Sequence, residues 1–170
     1  FIALASMPLA FTYPLMKRYT YWPQFFLGIT FNYGLILGWT SINNEISLIP
    51  IIFYLGAIFW TLGYDTIYGF QDIKDDEIIG LKSTSIKFKT NPYIFLKICY
   101  SIFFVSLITI AFLMDLNKFY LIFLFMIALQ MYFFQIRKLN INSPESCLRI
   151  FKSNNFLGLL VFVVLIAGKF

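Results

Sequence analysis

The sequence predicts an all-α, polytopic transmembrane helix bundle with about five complete spans and one partial helix at the N-terminus, a single domain over residues 1–170. Three observations predict it. The chain is 60% hydrophobic and only 12% charged, too apolar for a soluble domain of this length. Its apolar runs recur at close to the ~20 residues that a helix needs to cross ~30 Å of hydrocarbon. Its lysines and arginines gather in alternate connections, as the positive-inside rule expects.

Taken in order, the first apolar stretch, Ile2–Met16, is short for a span and begins without an initiator Met or a basic leader. That pattern argues against a signal peptide. It is expected to be the end of a helix whose beginning lies outside the chain, so that the domain is N-terminally incomplete. Lys17 and Arg18 follow, then the predicted span Gln24–Ser41, a connection holding only Glu45, and the predicted span Leu48–Tyr68. The segment Phe70–Asn91 is long, charged and rich in Lys, Ser and Thr, as a functional segment bordering water or a polar cavity would be. Pro92–Met114 and Phe119–Ile136 are the next two spans, separated by a connection with Asp115 and Lys118. Arg137, Lys138, Arg149 and Lys152 then precede the last predicted span, Ser153–Gly168. The three basic connections are expected to face the cytoplasm. Their asymmetry, with contacts to anionic lipid, accounts for the net charge of +5, so the charge gives no case for nucleic acid binding.

The chain contains no His, which excludes a Ser-His-Asp triad, a His general base and the usual His-containing zinc sites. Cys99 and Cys147 follow no zinc or redox spacing and are expected to be structural thiols. Chemistry must come from carboxylates, Lys, Arg or Tyr.

Five of the eight acidic residues, Asp65, Asp72, Asp75, Asp76 and Glu77, fall in one segment. If one helix continues through it, Asp65, Tyr68, Asp72 and Asp76 share an arc of about 80° at ~100° per residue. Carboxylates four residues apart repel one another, and an unpaired Asp inside a bilayer faces a cavity or a partner. A divalent cation relieves both penalties, and an all-oxygen donor set suits Mg²⁺ or Mn²⁺. Mg²⁺ keeps few protein ligands, so phosphate oxygens of a substrate would complete its shell. For Asp72–Glu77 alone, a solvated helix end with Lys74 in partial balance is the alternative. Asp65, well inside an apolar run, is poorly explained by solvation. Lys17, Arg18 and Lys82 lie on the same predicted side and could meet phosphate, Lys as a point charge and Arg as a planar fork; each could equally be a topology determinant. Ser83 and Thr84 could donate hydrogen bonds to a ligand or simply form a turn.

These residues resemble the UbiA superfamily of intramembrane prenyltransferases, most closely its 4-hydroxybenzoate branch in ubiquinone biosynthesis. The resemblance is carried by Tyr13-Pro-Leu-Met-Lys-Arg-Tyr-Thr-Tyr-Trp-Pro-Gln24 and by Tyr64-Asp-Thr-Ile-Tyr-Gly-Phe-Gln-Asp-Ile-Lys-Asp-Asp76 continuing to Ile79-Gly-Leu-Lys-Ser-Thr84, and more weakly by Asn154-Asn-Phe-Leu-Gly158. It implies the C-terminal part of a nine-helix bundle around a central cavity, using Mg²⁺ to bind a polyprenyl diphosphate and transfer its prenyl group to the ring of 4-hydroxybenzoate. Asp72 and Asp76 match the DxxxD metal ligands, preceded in the motif by Asp65 and Tyr68. Lys17, Arg18 and Lys82 match positions that meet the diphosphate, and Asp65, Tyr68, Asp72 and Arg18 are the catalytic candidates. The family's first Asn/Asp-rich motif has no counterpart in the chain, so the isolated chain is expected to be inactive without the helices that carry it, or to act with a separate N-terminal piece. A bacterial inner membrane, with lipid around the spans, is the expected location.

Three other readings stay open. Another branch of the superfamily, making menaquinone or haem O, would share the acidic segment but differ in acceptor. An ion-coupled transporter fragment would use Asp65 to bind a coupling ion, and would release no diphosphate. A non-catalytic remnant is distinguished by the DNA immediately upstream.

Overall fold

The computed structural model describes residues 2–169, and among them every regular element is helical. A helix α1 (Ile2–Thr12) runs through a 3-10 turn, Tyr13–Leu15, into the short α2 (Met16–Tyr19). Five helices are long and apolar enough to cross a membrane. These are α3 (Pro23–Asn43), α4 (Leu48–Gly69), α7 (Pro92–Leu113), α8 (Lys118–Ala128, continuing in π-helical form over Leu129–Ile136) and α9 (Pro144–Lys169). Between α4 and α7 lie two short helices, α5 (Ile73–Ile78) and α6 (Thr84–Lys87).

The start and stop signals are local. Proline opens α3, α7 and α9, where its missing N–H is one the helix could not bond anyway. Asn44 ends α3 in the left-handed region (φ 56°), its N–H donating to the Thr40 carbonyl at 3.0 Å, a geometry Asn tolerates. Asn117 accepts from the Tyr120 N–H at 3.2 Å and so caps α8. The same residue ties this turn to α9: its backbone N–H donates to the Gly168 carbonyl at 2.9 Å and its side chain to the Ala167 carbonyl at 2.9 Å.

Packing centres on α4, which lies against α3 on one side and α7 on another and touches α9. Small residues allow that approach. A Cβ at Gly63 would lie 2.6 Å from the Tyr100 ring of α7, so the two helices meet closely only because it is absent, the usual way helices associate where lipid removes a hydrophobic drive between them. Leu62, Leu96, Phe103, Leu107 and Leu157 fill the interior, while Phe31, Leu55, Phe112, Phe125 and Phe162 are exposed on the outside, as lipid-facing residues should be. Both cysteines are buried free thiols.

The boundaries correct the sequence reading in three places. The last span begins at Pro144 rather than Ser153, so Arg149 and Lys152 are helical residues of α9; their charge lowers hydropathy without breaking the helix. The segment expected to be an irregular loop, Phe70–Asn91, contains α5 and α6. The helix expected to carry Asp65 through Asp76 stops at Gly69, where a residue of poor helix propensity precedes the polar Gln71 and Asp72.

Candidate functional site

The acidic residues and their basic neighbours meet at one end of the bundle, where three short pieces of chain are tied together. Phe70, buried, ends α4; Asp72 occupies the cap position of α5, and its carbonyl accepts from the Asp76 N–H at 2.9 Å. That bond sets Asp72 and Asp76 one helical turn apart. The Leu81 N–H returns to the Asp76 carbonyl at 2.9 Å, and the next residue crosses to α2, the Lys82 N–H donating to the Lys17 carbonyl at 2.8 Å. A segment 65 residues distant in sequence is thereby joined to the acidic turn.

Beneath this layer the Ser83-Thr84-Ser85 stretch is fully buried. Ser83 caps α6 by accepting from the Ile86 N–H at 3.2 Å. The Thr84 N–H donates to Gln24 Oε1 at 3.0 Å, its hydroxyl is hydrogen-bonded to that of Thr66, and the Ser85 hydroxyl donates to the Thr66 carbonyl at 2.8 Å. These side chains pin α6 between the ends of α3 and α4, so that Ser83 and Thr84 serve the fold as the cap and first residue of a short helix.

Each predicted site residue can now be placed. Asp76 is buried, and Lys17 Nζ lies 3.6 Å from its Oδ2. Asp65, partly buried on the last turns of α4, lines a cavity of about 260 Å³ together with Tyr13, Lys17, Gln24 and Leu27. Lys17 is thus paired with Asp76 and borders the same cavity as Asp65. Asp72 is exposed and its side chain caps nothing. Lys82, partly buried, donates from Nζ to the Tyr19 carbonyl at 3.4 Å and lies 5.7 Å from the centre of the Tyr21 ring. Arg18 is exposed and forms no ion pair among the described residues. Tyr68 is exposed, and its ring packs on Phe151 of α9 at 4.7 Å. Glu77 pairs with Lys89 at the surface.

The shared helical face anticipated for Asp65, Tyr68, Asp72 and Asp76 is therefore replaced by two faces: Asp65 and Tyr68 belong to α4, Asp72 and Asp76 to α5, with the break at Gly69 between them. Lys17, paired with Asp76 and bordering the same cavity as Asp65, links the two helices. Among the described residues no three carboxylates or thiols gather as a metal site. A pair of oxygen donors one turn apart, one of them without a competing cation, nevertheless suits a cation that takes one or two carboxylates and fills its shell from substrate phosphate and water.

Sequence reasoning passed over the amides. Gln24, buried at the start of α3, holds the Thr84 N–H. Asn32 of α3 donates to Thr61 Oγ1 at 2.7 Å and to the Ala57 carbonyl at 3.2 Å. Gln135, on the π-helical stretch, is wholly buried among Tyr100, Ser153 and Asn154. The signal was there: an amide inside an apolar run needs a partner on another helix.

A sequence profile described as the UbiA prenyltransferase family matches residues 1–164. The chain is 40% identical over 173 residues to the protein named 4-hydroxybenzoate polyprenyltransferase, mitochondrial, of Bos taurus, covering 99% of this chain and 45% of that protein. It is 38% identical to the protein of the same name from Arabidopsis thaliana, over 99% of this chain and 41% of the relative. Identity is 36% to 4-hydroxybenzoate geranyltransferase 2 of Lithospermum erythrorhizon, over 99% and 55% respectively. The chain thus spans about half the length, or less, of these relatives. No solved structure matches it.

Proposed function

The chain belongs to the UbiA prenyltransferase family, and from that premise we propose that the whole protein transfers a polyprenyl group from polyprenyl diphosphate to the ring of 4-hydroxybenzoate, in ubiquinone biosynthesis. The observation that carries this is Lys17, which pairs with Asp76 and lines one cavity with Asp65 at the end of an apolar bundle, on the segment to which Lys82 is tied. Carboxylates and cations brought together beside a hydrocarbon interior suit a substrate with a diphosphate head and an isoprenoid tail.

In this reading Asp72 and Asp76 hold Mg²⁺, because the two residues are one turn apart and Asp72 is free of any cap or ion pair among the described residues. When bound, Mg²⁺ supplies charge neutralisation and Lewis acidity for departure of the diphosphate. The basic residues do the rest of the binding. The 3.6 Å separation of Lys17 from Asp76 is long for a charge-assisted bond, so Lys17 can turn to a phosphate oxygen without losing a tight partner. Arg18 offers an unpaired fork and Lys82 a second point charge. Asp65 and Tyr68 shape the entrance from the α4 side. As the allylic C–O bond breaks, pyrophosphate leaves with the electron pair; the ring carbon next to the phenol hydroxyl bonds to the allylic carbon, and the ring loses one proton. The surrounding apolar helices keep water from the allylic centre.

The proposed location is an inner membrane with the charged end on its inner side, bacterial or, following the word in the relatives' names, mitochondrial. A transferase assay on membranes containing the full-length protein tests the reading. Asp72→Ala and Asp76→Ala should each lower prenylation of 4-hydroxybenzoate at least about a hundredfold, the scale expected for electrostatic groups at a reacting phosphate. Near-normal rates in either variant would remove the proposed role. Prenylation of other acceptors in preference to 4-hydroxybenzoate would move the chain to another branch of the family.

A further inference from the structure

A second, uncharged cavity of about 350 Å³ opens between α3, α4 and α9, bordered by Phe31, Asn32, Trp60, Tyr64, Asn154 and Gly158 among others. Its position on α4 relates it to the charged end. Trp60, Tyr64 and Tyr68 are spaced by four residues and so follow one side of the helix toward Asp72. Their rings are in contact along the way: Trp60 meets Tyr64 edge-on at 5.7 Å, and Phe151 meets Tyr64 at 5.8 Å and Tyr68 at 4.7 Å.

The indole of Trp60 is held on three sides. Phe103 stacks on it at 5.0 Å with the planes 10° apart. Gly158 leaves it room on the α9 side, where a Cβ would come within 3.3 Å of the ring. Its N–H donates to Asn154 Oδ1 at 2.9 Å. That oxygen is shared: Gln135 Nε2 donates to it at 3.1 Å and also to Ser153 Oγ at 3.1 Å, while Gln135 Oε1 accepts from the Tyr100 hydroxyl at 2.7 Å. Asn154 is further fixed by donating to the Ile150 carbonyl at 3.2 Å. Gln135 itself sits on the π-helical part of α8, a distortion that single-turn examples associate with functional sites. Four helices thus meet in one satisfied polar network, which borders the cavity through Trp60 and Asn154. A network so complete fixes geometry as well as contributing stability.

We propose that Gln135 is a positioning residue which, through Asn154, sets the Trp60 indole as the wall of a subsite for the unsaturated hydrocarbon of the prenyl donor. The inference rests on the transferase reading above. The cavity suits that part of the donor better than its diphosphate. No charged side chain borders it, so a diphosphate or a carboxylate would be left there without a counter-ion. Alkene units, with a polarisable π face, lie well against aromatic rings.

The test uses the full-length protein with geranyl diphosphate as donor and inorganic pyrophosphate with Mg²⁺ as an inhibitor that reports on the charged end alone. Gln135→Leu and Trp60→Phe should raise the KM for geranyl diphosphate about tenfold, the fold-change expected for one lost buried hydrogen bond and its positioning. The pyrophosphate inhibition constant and the KM for 4-hydroxybenzoate should stay within about twofold of the parent values. Gly158→Ala, which pushes on the indole from behind, should act in the same direction. A donor KM that stays constant, or that changes only in step with pyrophosphate inhibition, overturns the proposal. If Gln135→Leu does not accumulate as folded protein, the Trp60 and Gly158 variants decide by the same criterion. Failure of pyrophosphate to inhibit the parent protein would instead bring down the transferase reading, which keeps the two outcomes apart.

Discussion

The two polar regions of this molecule solve opposite problems. At the charged end, where Asp65, Asp72, Asp76, Lys17 and Lys82 range from exposed to buried, the charges are loosely matched: the Lys17–Asp76 pair is at 3.6 Å, and Asp72 and Arg18, both exposed, have no partner among the described residues. In the middle of the bundle, Trp60, Tyr100, Gln135 and Asn154 are matched to one another at 2.7–3.1 Å. Water can satisfy an idle group at the surface, whereas an idle group in the interior costs its full desolvation. The difference teaches where ligand contacts can be kept in reserve. A loose charge can be handed to a substrate, while a satisfied amide can only hold its neighbours in place.

Three experiments sharpen or break this contrast. The largest effect is expected from chelation. Removing divalent cations from the full-length protein should lower prenyl transfer by about a thousandfold, equivalent to about 4 kcal/mol of barrier, and leave the melting temperature nearly unchanged, with activity restored by Mg²⁺. A parallel loss of thermal stability would mean that the charged end is structural after all. Next is Gly63→Val at the α4–α7 contact, where even one carbon would lie 2.6 Å from the Tyr100 ring. Overpacking there should destabilise the bundle by about 3 kcal/mol, read as a lower melting temperature and loss of detergent-stable protein. An unchanged transition would show that α4 and α7 are less closely coupled than they look. The smallest effect is expected from Thr66→Val, which strands the Thr84 hydroxyl against the end of α4. A cost of about 1–2 kcal/mol should appear mainly as faster proteolysis of the α5–α6 segment, since that is the element Thr66 anchors. Uniform destabilisation of the whole chain, with no local change in cleavage, would assign Thr66 to the core instead.

Much of the fold was written in hydropathy alone. The spans ending at Gly69 and Leu113 lie within a residue of where their apolar runs stop, because lipid forces backbone groups to bond internally along the whole run. The start of α9 was hidden by Arg149 and Lys152, which lower hydropathy where a helix leaves the membrane but do not end it. At the site, the relevant residues could be named from the sequence but their arrangement could not. Asp76 pairs with Lys17, a residue 59 positions before it, and no helical periodicity encodes that meeting. The amide network was harder still: Trp60 and Asn154 are 94 residues apart, and each taken singly is an unremarked polar group in an apolar run.

The stitch between Asn117 and the far end of α9 has a bearing on how the protein is made. The donor turn is synthesised 50 residues before the Ala167 carbonyl that it binds, a lag of roughly 3–10 s at ordinary rates of translation. During that interval the newly inserted α7–α8 hairpin must wait in the translocation machinery or in lipid with its hinge unclasped.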